Sequence, residues 1–135
     1  MSSEYLESGR YYIKSKESGE YLTVSQEDGS IVARPEKDKP FEFSSADENG
    51  FSISLEGGDA LGIQDETLVA GASSAFWNVT KSEAQHAWVF VEVDGSKGWW
   101  LNGEEPKTVN VRPLAVAPCY PPQYPTSELF VLESA

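Results

Sequence analysis

Few side chains in this chain are suited to covalent chemistry. There is one histidine, His86, and one cysteine, Cys119. Hydrolases of the triad type need a base held beside their nucleophile. His86 falls at a junction between repeats, where it reads as a turn or surface residue. A structural zinc site takes about four Cys or His ligands, so these two residues exclude one. Glu56-Gly57-Gly58-Asp59 lacks the Lys-Ser/Thr that completes a phosphate-cradling loop, and it lies between strands rather than before a helix. The acidic pairs Glu27-Asp28, Asp65-Glu66 and Glu104-Glu105 have the composition of an acid and a base, but neighbouring carboxylates on turns are ordinarily solvated. Cys119, in Pro118-Cys119-Tyr120-Pro121-Pro122, reads as a small buried hydrophobe, and a single cysteine rules out an internal disulfide. Asn78-Val79-Thr80 matches a glycosylation sequon but falls within an expected strand. The expectation is a protein that is not an enzyme and uses neither metal nor cofactor.

Function then falls to loops held by a rigid scaffold. Helical periodicity is nearly absent, and short alternating runs are separated by Gly, Asn, Asp and Ser clusters. Arg10-Tyr11-Tyr12-Ile13-Lys14 is followed by a turn at Lys16-Glu17-Ser18-Gly19, then by Tyr21-Leu22-Thr23-Val24 and a second turn at Glu27-Asp28-Gly29-Ser30. Ile31-Val32-Ala33 and Phe41-Glu42-Phe43 supply two more strands. The same phrase returns as Phe51-Ser52-Ile53, Ala60-Leu61-Gly62-Ile63, Leu68-Val69-Ala70 and Phe76-Trp77-Asn78-Val79. It returns again as Trp88-Val89-Phe90, Gly98-Trp99-Trp100-Leu101, Val109-Asn110-Val111 and Leu129-Phe130-Val131-Leu132. The period is roughly 40 residues, long enough to be read as architecture. Three four-stranded copies are too few for a propeller. They suit an all-β fold, the β-trefoil, with twelve strands in three pseudosymmetric repeats at approximately 10–49, 50–86 and 87–135 of a single domain, 1–135. The Pro-rich stretch Pro113 to Ser127 is expected to be an irregular surface loop.

Size and charge narrow the partners. A chain of 135 residues buries roughly two-thirds of its unfolded surface, enough for a real core. Ten basic residues against 22 acidic ones give a formal net charge of −12. That surface repels phosphate backbones and anionic headgroups, so neither nucleic acid nor membrane is an expected partner. No apolar run approaches the ~20 residues that cross a bilayer, and Met1-Ser2-Ser3-Glu4-Tyr5 has no signal-peptide pattern. We therefore expect a cytoplasmic protein, and a monomer, because the internal repeats already close the barrel.

The C-terminal third carries specific motifs. Gly98-Trp99-Trp100-Leu101, Glu104-Glu105-Pro106, Val111-Arg112-Pro113-Leu114, Tyr120-Pro121-Pro122-Gln123-Tyr124-Pro125 and Glu128-Leu129-Phe130 together resemble the mushroom β-trefoil serine protease inhibitors, the cospin and cnispin group. Gly9-Arg10-Tyr11-Tyr12-Ile13 and the turn Glu27-Asp28-Gly29-Ser30 are similar to that family's first repeat. The resemblance implies inhibition of a target protease by a rigid surface loop that mimics substrate. It also implies that the loop joins the second and third strands, here Ser25, Gln26, Glu27, Asp28, Gly29 and Ser30. None of the six is basic, whereas trypsin's primary pocket holds an aspartate and takes Lys or Arg. Lys16, Lys37, Lys39 and Lys97 are basic residues on other expected loops, and Lys16, on a tight turn, is the alternative reactive residue. With Gln26 in the primary position, the target would have a polar pocket.

The opening half is also similar to the ricin-B-type lectins, which leaves a carbohydrate-binding alternative open. Trp99 and Trp100, with Asn102, would give a sugar a stacking face and a hydrogen-bonding amide. The Gln-x-Trp signature of those lectins is missing: Ala75 and His86 stand two positions before Trp77 and Trp88. A glycan is accordingly the second candidate partner.

Overall fold

The computed structural model describes residues 8–25, 27–37, 39–45, 50–71, 76–82, 85–93, 97–103, 107–113 and 124–135. They form twelve strands: β1 (Gly9–Ser15), β2 (Tyr21–Val24), β3 (Ile31–Arg34), β4 (Phe41–Ser45), β5 (Phe51–Leu55), β6 (Leu61–Gln64), β7 (Thr67–Ala70), β8 (Trp77–Ser82), β9 (Ala87–Glu92), β10 (Lys97–Leu101), β11 (Val109–Pro113) and β12 (Phe130–Ser134). The alternating runs of the sequence become strands because one face of each can be buried while the other stays wet. In β4, for example, Phe41 and Phe43 are buried while Glu42 points out to an ion pair with Arg10. Two boundaries differ from the sequence reading. Phe76 lies outside β8 and is 40% exposed. The expected Pro113–Ser127 loop ends in one 3-10 turn, Thr126–Glu128, with Glu128 buried; residues 114–123, Cys119 among them, lie outside the described residues.

Six strands close into a ring. β1 pairs with β4 and β12, β4 with β5, β5 with β8, β8 with β9, and β9 with β12, all antiparallel. Closure leaves these strands no raw edge. The remaining six form three hairpins, β2–β3, β6–β7 and β10–β11. These hairpins are joined to one another in a second closed figure: Ser30 bridges Val69, Thr67 pairs with Asn110, and Val32 bridges Thr108. Each hairpin tip is therefore held by a neighbouring hairpin far away in sequence.

Every one of the twelve strands sends at least one residue into a single apolar cluster. Its centre is aromatic. Trp99 stacks on Phe90 with ring centroids 4.1 Å apart and an interplanar angle of 8°, while Trp77 and Phe130 meet Trp99 edge-on at 5.5 and 5.9 Å. Burial of each such side chain stabilises by roughly 1.5–3 kcal/mol, and the scaffold under the loops is correspondingly stiff.

Candidate functional site

The β2–β3 connection is a short loop that closes on itself. The Ser25 amide donates to the Ser30 carbonyl at 2.7 Å, and the Gly29 amide donates to the Ser25 carbonyl at 2.9 Å. Ser25 Oγ accepts from the Glu27 amide at 3.3 Å in the manner of a side-chain-stabilised turn. Asp28 Oδ1 accepts from both the Ser30 amide (3.0 Å) and the Ser30 hydroxyl (2.7 Å). These Ser30 bonds, the hydroxyl's first, hold the Asp28 carboxyl below the ordinary carboxylate range. The loop is also anchored from outside, since the Ala70 amide of β7 donates to the Gly29 carbonyl at 2.8 Å. Ser25 and Ser30 are buried at the base, while Glu27 and Asp28 are exposed at the tip. Gln26 lies outside the described residues. Beside the loop, Thr23, Val24, Ser25, Glu27, Arg34, Glu36 and Lys37 line a hollow of about 410 Å³.

The basic residues divide into engaged and free ones. Lys37 donates to Glu133 at 3.2 Å and sits 4.7 Å from the Tyr12 ring centroid and 5.2 Å from that of Tyr21. The Glu133 contact raises the Lys37 pKa and, reciprocally, lowers that of Glu133. This lysine is committed to its own surface and is poorly placed to reach into a partner. Lys107 bonds to Glu20 at 2.9 Å, and Arg10 to Glu56 at 2.8 Å. Lys16, Lys39 and Lys97 are exposed, with no ion pair among the described residues. Lys16 stands on a well-tied turn: Ser15 Oγ accepts from the Glu17 and Ser18 amides, the Lys16 amide donates to Leu129, and Thr126 donates its hydroxyl to Glu17.

The residues expected to stack on a sugar are separated by the pleat. Trp99 is 0% exposed, buried among Phe90, Trp77 and Phe130, and offers no face to a ligand. This corrects its placing in a sugar platform: the inward side of β10 belongs to the core. Trp100 points the other way and is half-buried, and the guanidinium of Arg112 lies 3.8 Å from its ring centroid, over the face that a sugar would use. Asn102 is half-buried just beyond β10. Sequence places Arg112 in a family-like motif but not beside Trp100, because only the β10–β11 register, Gly98 opposite Arg112, brings the two together.

The remaining candidates stay apart. Asp65 and Glu66 form a two-residue turn with positive φ at both positions, 52° and 66°, and their side chains are exposed. His86 is an exposed turn residue with φ 55°. The Glu104-Glu105 pair lies outside the described residues. Among the described residues no three His, Cys, Asp or Glu side chains gather where they could hold a metal ion, and no helix is long and apolar enough to cross a membrane.

The sequence profile of the family described as peptidase inhibitor I66 matches residues 3–134. The chain belongs to that family. A proteinase inhibitor from Coprinopsis cinerea superimposes with a TM-score of 0.83 at 25% identity, covering 97% of this chain and 100% of its own. A ricin B-like lectin from Macrolepiota procera, solved in complex with lactose, gives a TM-score of 0.78 at 20% identity, with 97% and 99% covered. Cry35Ab1 gives 0.74 at 11% identity, with 96% of this chain but 36% of Cry35Ab1 covered. The last two likenesses concern the fold alone. No curated protein matches the chain. This I66 member is an inhibitor and not an enzyme, and its partner is a protease.

Proposed function

We propose that the chain is a monomeric β-trefoil inhibitor of a serine protease, and that residues 25–30 enter the protease cleft as a substrate mimic. The trefoil reading groups β1–β4, β5–β8 and β9–β12 as three repeats, each giving two strands to the six-stranded ring and one hairpin to the joined set. The observation that carries the loop assignment is its double fastening, by its own Ser25, Asp28 and Ser30 and by the Ala70 amide. A loop already held in one conformation loses little entropy on docking, which favours tight and reversible binding.

The test is a titration of trypsin, chymotrypsin, elastase, subtilisin, papain and a legumain-type enzyme at equilibrium, read as residual activity on peptide substrates. Saturable loss near one-to-one stoichiometry is expected for at least one serine protease. Replacing residues 25–30 with a Gly-Ser segment should then abolish inhibition while the thermal melt stays cooperative. Retained inhibition transfers the site to the turn carrying Lys16, where Lys16→Ala decides. The carbohydrate alternative has the Macrolepiota fold likeness behind it, but Arg112 already covers the Trp100 face, so a glycan array is expected to be silent.

A further inference from the structure

We infer that Glu27 is the side chain that enters the primary pocket of the target, and that the target is a peptidase selecting an acidic residue there. This rests on the reading of residues 25–30 as the inhibitory loop. Among the described residues of the loop, which leave out Gln26, the candidates reduce by elimination. Gly29 has no side chain, and Ser25 and Ser30 are buried at the base, 8% and 5% exposed. The Asp28 carboxylate is turned back on the loop by two bonds from Ser30. Glu27 is exposed, its amide is fixed to Ser25 Oγ, and its carboxylate has no hydrogen-bond or ion-pair partner among the described residues. The longer side chain thus projects from a loop fastened on both flanks, while the shorter acid beside it serves the fastening.

Of the cations around Glu27, two are held by other acids and the third is not paired with it. Lys37, across the hollow, is held by Glu133 at 3.2 Å, and Lys107 by Glu20 at 2.9 Å. Arg34 lines the same hollow but makes no ion pair with Glu27 among the described residues, and Glu36 adds a further acid. A carboxylate driven into a cleft leaves water, and only a pocket with a basic or multiply hydrogen-bonding floor compensates for that. Trypsin's pocket, with its own aspartate, would place two carboxylates together, and an apolar pocket would leave the charge unpaired. A peptidase that cleaves after glutamate has the complementary floor. The net charge of −12 also steers the chain towards a positively charged cleft.

The experiment measures inhibition constants against a glutamate-specific serine endopeptidase, with trypsin and chymotrypsin as comparators. Wild type is expected to inhibit the glutamate-specific enzyme stoichiometrically. Glu27→Ala should weaken that inhibition on the order of 100-fold or more, as removal of one member of a desolvated charge pair does. Glu27→Lys should move inhibition to trypsin, and Gln26→Ala should change the constant by less than about threefold. Thermal melts of each variant keep folding and binding apart. If replacing residues 25–30 abolishes inhibition but Glu27→Ala does not weaken it, or Gln26→Ala does instead, the inference is overturned and the loop reading stands. If the loop replacement itself has no effect, both fall. Wild-type inhibition of trypsin without inhibition of the glutamate-specific enzyme also overturns it.

Discussion

The Gly29 carbonyl accepts the Ala70 amide at 2.8 Å, so the tip of the first hairpin is fastened to a strand of the second. Gly29 can make this contact because its φ is +79°, and a Cβ there would meet the Ala70 carbonyl oxygen at 3.4 Å. Gly29→Ala therefore carries a left-handed penalty of about 1–2 kcal/mol, with little added overlap. Loss of that size corresponds to a melting temperature roughly 4–7 °C lower for a domain of this size. Because the strain falls on the anchored loop, inhibition should weaken with it. Differential scanning calorimetry alongside inhibition titrations checks both.

Gly50 has the same φ, +79°, in different surroundings. A Cβ there would sit 2.5 Å from the Trp77 carbonyl oxygen and 2.9 Å from its carbonyl carbon. Strand backbone cannot step aside as a side-chain tip can, and Phe51 pairs with Trp77 at the β5–β8 closure of the ring. Gly50→Ala should lower the melting temperature at least twice as far as Gly29→Ala. Its inhibition constant, corrected for the folded fraction, should match wild type, since Gly50 faces Trp77 and Val93 and none of the residues that fasten 25–30. Equal melting shifts for the two variants would show that the overlap is relieved.

Trp99 tests the aromatic centre. Its ring is fully buried against Phe90, and among the described residues its indole N–H has no hydrogen-bond partner. Trp99→Ala should cost about 3–5 kcal/mol in urea unfolding, the transfer and cavity contributions together. Trp99→Phe should cost less than half of that, because it keeps a ring against Phe90 and removes a buried donor that is itself unfavourable, by about 1–3 kcal/mol. Similar losses for both variants would mean that the N–H is satisfied in solution.

Local patterning made the strands legible, and long-range closure explains most of what stayed hidden. Phe41-Glu42-Phe43 announces its buried and wet faces through alternation alone, and Trp99-Trp100 announces that one ring goes in and one out. The turn at Glu27-Asp28-Gly29-Ser30 is legible from its glycine. Which of the two acids is free is a matter of reach: Asp28 is short enough to meet Ser30, and Glu27 is not so engaged. The Lys37–Glu133 and Lys107–Glu20 pairs join residues that only the closed ring and joined hairpins bring together, so sequence offered Lys37 as a loop lysine when it is a clamped one. Phe76 misleads in the opposite sense, an aromatic next to a strand that stays outside it.

Acid should loosen the loop through Asp28. Folding lowers this carboxyl's pKa, chiefly through the Ser30 hydroxyl and then the Ser30 amide. The contribution of its ionised form to stability is therefore complete above the ordinary value of 3.8 and is lost as pH falls below it, through the lower folded value. In Asp28→Asn the side chain keeps an acceptor but carries no charge at any pH. Wild type should melt above Asp28→Asn at pH 6, and the difference should shrink steadily as pH falls below about 4, where the wild-type carboxyl takes up its proton. Melting curves recorded at half-unit steps from pH 6 to pH 2.5 read this directly. A difference that stays constant across the range would mean that the Ser30 bonds hold an uncharged acceptor as well as a charged one, and the loop's fastening would then owe nothing to ionisation.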